Sequence, residues 1–175
     1  EYECRSGGIE RIMTVTIRPA EEADFQELCE FISRCPPLEE YPLHQYRIIL
    51  RYFGETCFIA EESGEIAGAV IILCPRGRDG TCFLWQIAVA PAARREGVAE
   101  KLLAAAEEKL KNIGNRRIEV TVDPENTPSA ALFQSRGYRN ISDREGIALE
   151  INGSRAVRDF YGPGRHFILL EKNLQ

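Results

Sequence analysis

With 175 residues, 44% of them hydrophobic and 28% charged, the chain has the make-up of one globular domain with a sizeable core, and no apolar run approaches the roughly 20 residues a membrane-spanning helix needs. A net charge of −5 argues against nucleic-acid affinity and is compatible with a cationic substrate, while two histidines and no Cys-x-x-Cys argue against a metal site. The six cysteines lack close paired spacing and several sit in apolar runs, where a reduced thiol packs as a small hydrophobe; with no signal-type N-terminal segment, a cytoplasmic location is expected.

Residues 1–12 precede Met13 and read as an extension or cloning remnant in front of a single domain, 13–175. Val15 to Arg18 reads as a strand, and Ala20 to Ser33 as a helix with Phe25, Leu28, Cys29 and Ile32 inward. Pro36-Pro37 breaks it, a loop carries Glu39, Glu40 and Tyr41, and Leu43 to Phe53 forms a second helix closed by Gly54. Strands are expected at Thr56 to Glu61 and Glu65 to Cys74, joined by a Ser63-Gly64 turn, and from Phe83 to Val89, stopped by Pro91. Val98, Leu102, Leu103, Ala106 and Leu110 recur at helical spacing, with Gly114 as the stop. Arg117 to Asp123 alternates apolar and polar residues, and Thr127 to Arg136 is a short helix with Thr127 as N-cap and Pro128 at its first position. Gly137 ends that helix; Tyr138 to Asp143 and His166 to Lys172 complete the strands.

The chemistry concentrates where the Phe83 strand turns into the Val98 helix. Gly97 lets main chain approach a ligand, the first amides of the helix have no intrahelical partner, and Arg94 and Arg95 add positive charge. That is an anion site at a helix N-terminus. The competing reading is an ordinary strand-to-helix connection that happens to hold a glycine.

The motif Arg94-x-x-Gly97-x-Ala99, following an apolar strand that ends in Val-Ala-Pro, resembles the acetyl-CoA signature of the GNAT superfamily of N-acetyltransferases. The resemblance implies an α/β (α+β) GNAT fold, a mixed central sheet of about seven strands flanked by about four helices. It implies acetyl-CoA as co-substrate, with Ile87, Ala88 and Val89 along the pantetheine and Arg94, Arg95, Glu96, Gly97, Val98 and Ala99 around the pyrophosphate. Asn126 and the run Leu132 to Tyr138 match the family's next landmark, and Phe133 stands where many members have a tyrosine that protonates the departing thiolate. From Leu38 to Phe133 the chain is also similar to the diaminobutyrate acetyltransferases, a subgroup in which Phe is common at that position; the tail beyond Asp143 is not matched to it.

A primary ammonium with a pKa near ~10 must lose a proton before attacking a thioester, so a base is required. Glu119, on the polar face of its strand, is the first candidate; the alternative is a surface glutamate on an edge strand. Tyr161 is a candidate acid, Tyr138 and Tyr46 being further tyrosines near the expected site; Glu39, Tyr41, His44 and Trp85 are expected at the acceptor pocket, and an amide near Ile87 or Ala88 at the thioester carbonyl. The expected partner is a small-molecule amine such as a diamine or diaminobutyrate, with no nucleic acid or membrane and with a homodimer left open. A protein or peptide N-acetyltransferase and a non-catalytic acyl-CoA-binding domain are the alternatives.

Overall fold

The computed structural model describes residues 14–174; the reading of residues 1–12 lies outside them. In chain order the strands are β1 (Thr16–Pro19), β2 (Phe58–Glu62), β3 (Glu65–Leu73), β4 (Thr81–Val89), β5 (Arg117–Val122), β6 (Arg139–Asn140), β7 (Ala148–Ile151), β8 (Ser154–Val157) and β9 (Ile168–Asn173). The helices are α1 (Phe25–Ser33), α2 (Leu43–Phe53), α3 (Val98–Asn112) and α4 (Thr127–Ser135). Seven strands form one mixed sheet in the order β1-β2-β3-β4-β5-β9-β6, in which β4 and β5 run parallel, and β7 and β8 pair separately.

The alternation of each strand assigns the two cores. Ile118, Val120 and Val122 of β5 join Leu102, Leu103 and Leu110 of α3 and Phe133 of α4 on one face. On the other, Ile59 and Ile71 meet Leu28 and Ile32 of α1 and Tyr46 and Leu50 of α2. Strand β3 is buried almost throughout because helices cover both sides. Helix α3 lies close on β3 at Gly68, where a Cβ would come 2.9 Å from Val98 Cγ1 and 3.1 Å from the Ala88 carbonyl. This contact seats the first turn of α3 against the end of β4.

Several local expectations are corrected. The helix expected from Ala20 begins as a separate 3-10 turn, Glu22–Asp24, because Asp24 is held by Arg18 and accepts the Glu21 amide at 2.7 Å. Gly54 is right-handed rather than a left-handed stop; it fits because the Ala20 carbonyl passes where a side chain would begin. The cap of α4 is Asn126, whose Oδ1 accepts the Ser129 amide at 3.2 Å, and Thr127 is already helical. The strand expected over Tyr138 to Asp143 shortens to Arg139–Asn140, since Asn140 Oδ1 accepts the Ser142 amide and turns the chain into a 3-10 turn. The β7–β8 hairpin was not anticipated, although Asn152 and Gly153, both at positive φ, carry its turn signal. Cys74 and Cys82 are not reduced but joined in a disulfide: β3 and β4 are neighbours, and their Cα atoms stand 4.4 Å apart.

No helix among the described residues is long and apolar enough to cross a membrane. Nor is there among them a group of three His, Cys, Asp or Glu able to hold a metal ion.

Candidate functional site

Strand β4 organises the site through two irregularities. Its register against β3 slips by one, from Ile71 opposite Gln86 to Ile72 opposite Leu84, so Trp85 is an extra residue. The slip inverts the alternation: Leu84 faces α3, but Trp85 and Gln86 both contribute to the α1–α2 side. The second irregularity is that pairing with β5 stops at Leu84 opposite Val120, although both strands continue. Beyond that point a gap opens.

Which main-chain groups face the gap follows from the ladder. The Ala90 amide bonds the Ala67 carbonyl, so every second residue back, Ala88 and Gln86, bonds β3. Ile87 and Val89 therefore turn their amides toward the gap. The Val89 carbonyl is taken at 3.3 Å by Arg94 Nε, and Arg94 Nη2 donates to the Pro36 carbonyl at 3.0 Å. The Arg94 guanidinium is thus a tie between β4 and the loop after α1, so an anion at this turn would be held by main chain.

That main chain lies in the turn leaving β4. Arg95 has φ 67° and Gly97 φ 74°, which reverses the chain tightly enough to start α3 at Val98. The first intrahelical bond runs from the Lys101 amide to the Gly97 carbonyl, leaving the amides of Val98, Ala99 and Glu100 without intrahelical acceptors. No side chain caps this end, and a Cβ on Gly97 would meet nothing within 4 Å. Open space, free amides and the positive end of a 15-residue helix suit a phosphate. The Val98 side chain is buried in the core, so only its amide is available.

On the α1–α2 side of the sheet the gap is walled by aromatic groups. Trp85 lies 4.7 Å from Tyr41 and 5.9 Å from Tyr46, ring centroid to centroid. Gln86, 4% exposed, accepts the Tyr46 hydroxyl at 3.2 Å and donates to the Glu39 carbonyl at 3.1 Å, tying the loop after α1 to the bulge. Burial pushes the Tyr46 and Tyr41 hydroxyls up to about 12, with the Glu39 carboxylate adding to the shift at Tyr41. On the β5 wall, Glu119 stands opposite Phe83 and Glu171; its side chain makes no hydrogen bond or ion pair among the described residues, and its carboxyl pKa is raised by burial and by the Glu171 charge. Thr121, next on that face, shares a 2.9 Å hydrogen bond with the Tyr161 hydroxyl.

The profile of the Acetyltransferase (GNAT) family matches residues 25–138. The chain belongs to this family. It is 34% identical over 122 residues to the L-2,4-diaminobutyric acid acetyltransferase of Chromohalobacter salexigens, covering 69% of this chain and 64% of that protein. It is 35% identical over 123 residues to the same-named protein of Wolinella succinogenes, covering 69% and 70%. The match to the first of these thus spans just under two thirds of its length. Among solved structures, diaminobutyrate acetyltransferase EctA from Paenibacillus lautus, in complex with its substrate L-2,4-diaminobutyric acid and coenzyme A, superposes with a TM-score of 0.71 at 25% identity, covering 91% of this chain and 94% of that one. The ribosomal-protein-S18-alanine N-acetyltransferase of Escherichia coli superposes equally well, TM-score 0.71, at 19% identity, a likeness of fold alone.

Within this GNAT chain, one run of contacts joins Trp85 to Tyr41, Tyr41 to Glu39, and Glu39 through Arg165 to Tyr161 and Thr121, while Glu119 lies two residues before Thr121 on β5 and the turn from Arg94 to Ala99 follows β4. His44 is exposed on the first turn of α2, and its side chain makes no hydrogen bond or ion pair among the described residues. Asn126 spends Oδ1 on the α4 cap. Phe133, 1% exposed, lies in the α3 core against Tyr138, so its ring stands behind the gap rather than at its surface. Sequence reasoning missed Arg165, whose guanidinium pairs with Glu39 and covers the Tyr161 and Phe167 rings. It lies in a glycine-rich turn with no motif, and nothing in its neighbours marks it.

Proposed function

We propose that this GNAT protein transfers an acetyl group from acetyl-CoA directly to a primary amine of a small diamino acid, with L-2,4-diaminobutyrate the first acceptor to test. One observation carries the reading: the unpaired stretch of β4 leads, through the 3-10 turn Pro91–Ala93 and the tight turn at Arg95 and Gly97, to the open α3 amides, giving one track for an extended, phosphate-ended molecule. The relatives and the EctA structure support the choice of acceptor.

Acetyl-CoA, when bound, supplies an acetyl group activated as a thioester. The chain's residues do the rest. The free amides of Val98, Ala99 and Glu100 hold phosphate oxygens, and the Ile87 and Val89 amides align the arm along β4. The Ile87 amide is the donor for negative charge developing on the carbonyl oxygen; Ala88, bonded to β3, is not. Glu119 takes the proton of the acceptor ammonium, directly or through water, and its raised pKa brings it closer to the pH at which such a base works best. The Tyr161 hydroxyl, fastened to Thr121 two residues beyond Glu119 on β5, is the proton donor for the departing thiolate.

The test is thiol release from acetyl-CoA in the presence of diamines, amino acids, aminoglycosides and peptides. Release with small diamino acids is expected. Release with peptides alone would reassign the acceptor, and tight CoA binding without release would make the protein a binding domain.

A further inference from the structure

The loop after α1 meets the turn before β9 at the ion pair of Glu39 with Arg165, 126 positions apart in sequence. Each partner is fixed from its own side. The Glu39 carboxylate also accepts the Tyr41 hydroxyl at 2.7 Å, and Gln86 holds its main-chain carbonyl. The Arg165 guanidinium lies 5.7 Å from the centroids of both Tyr161 and Phe167. Tyr161 is bonded to Thr121, the next residue after Glu119 on that face of β5. A negative group on one wall and a positive group on the other thus meet across the acceptor side of the gap.

We propose that this pair is the seat for the zwitterionic head of an amino-acid acceptor, Arg165 taking the α-carboxylate and Glu39 the α-ammonium; this rests on the small-amine acetyltransferase reading above. The side chains are 46% and 53% exposed, so their mutual attraction is screened by water and easily exchanged. A zwitterion replaces it charge for charge and leaves neither partner alone. Guanidinium presents two parallel N–H groups to a carboxylate, and this one already lies over two rings, so less rotamer freedom is lost on binding than for a free side chain. The side-chain amine of the same molecule then remains to meet Glu119 and β4. A diamine lacking the carboxylate occupies Glu39 and strips Arg165 of its partner, which disfavours it.

The experiment compares kcat/KM for L-2,4-diaminobutyrate and for 1,3-diaminopropane, the same skeleton without the carboxylate, in wild type, Arg165→Gln and Arg165→Lys. Wild type is expected to prefer the amino acid by at least about tenfold, through KM. Arg165→Gln should bring the ratio near unity, and Arg165→Lys should keep part of it. An equal loss on both amines marks Arg165 as merely structural and overturns the proposal, as does an unchanged ratio. Calorimetric titration of diaminobutyrate into the CoA-saturated protein reads the seat without turnover: binding weakened at least about tenfold by Arg165→Gln supports it, and no binding to wild type overturns it. Acetylation without a carboxylate preference sinks this inference alone, whereas absent acetylation with Arg165-dependent binding sinks the activity and keeps the seat.

Discussion

Glu119 and Glu171 stand opposite each other on β5 and β9, and of the two Glu171 alone forms ion pairs with arginines among the described residues, Arg144 at 3.3 Å and Arg117 at 3.8 Å, while Arg117 and Arg78 act on Glu119 only at longer range. Glu171 is nearly buried with those partners, so it presents its charge to Glu119 from the neighbouring strand. Burial and that charge together hold a proton on Glu119 to higher pH than on a free carboxylate.

Two consequences can be measured on Glu119→Gln. As the base, Glu119 must be ionised, so the acid limb of the wild-type kcat/KM profile should lie above the ordinary carboxylate value of about 4.3 and disappear in the variant. Turnover or acceptor KM should worsen at least about tenfold while calorimetric CoA affinity stays level. The stability effect has the opposite sense. A carboxyl whose folded pKa is raised contributes stability below its unfolded value and loses it as pH rises through the folded one. Thermal melts should therefore show Glu119→Gln more stable than wild type at pH 7, with the advantage shrinking toward pH 4. Unchanged kinetics on the true acceptor would reduce Glu119 to a bystander.

Gly97 combines a φ of 74° with open space beyond its Cα. Valine there is strained by roughly 1–2 kcal/mol and projects two methyls where a phosphate would approach the amides. Gly97→Val should abolish CoA binding in titration calorimetry while circular dichroism shows the fold retained. Wild-type affinity in a folded Gly97→Val protein removes the pyrophosphate assignment.

Phe133 sits in the core and Tyr161 at the gap, which separates two roles a tyrosine could have. Phe133→Tyr should leave the rate within a few-fold, against the 10²- to 10⁴-fold scale of general-acid assistance, and should lower stability by about 1–3 kcal/mol for a buried hydroxyl without a partner. Tyr161→Phe should lose the alkaline limb of turnover. Burial raises the Tyr161 hydroxyl despite the Thr121 bond, so that limb lies above the ordinary tyrosine value. A large activation by Phe133→Tyr would falsify this division of roles.

Much of this protein is written in local pattern. The alternation of β5, the three- and four-residue spacing of α3 and the glycine after Arg94-Arg95-Glu96 depend only on neighbours in sequence, and those neighbours decide which face is apolar and where amides are left free. The Asn152-Gly153 turn between β7 and β8 is a local signal of the same kind. Other features arise between segments far apart in the chain. The bulge at Trp85 exists through pairing with β3, which turns Trp85 and Gln86 to one face against strand alternation. The end of β4–β5 pairing after Leu84 opens the gap, and no residue in either strand announces it. Arg94, a motif residue, is drawn to the Pro36 carbonyl by the loop that folds over it. Arg165 acquires its meaning from Glu39, and the raised pKa of Glu119 comes from burial together with Glu171, on a strand that follows it by some fifty residues. Backbone hydrogen bonding and charge proximity across long sequence separations set those properties, because both depend on distance in space, and only the folded sheet fixes that distance.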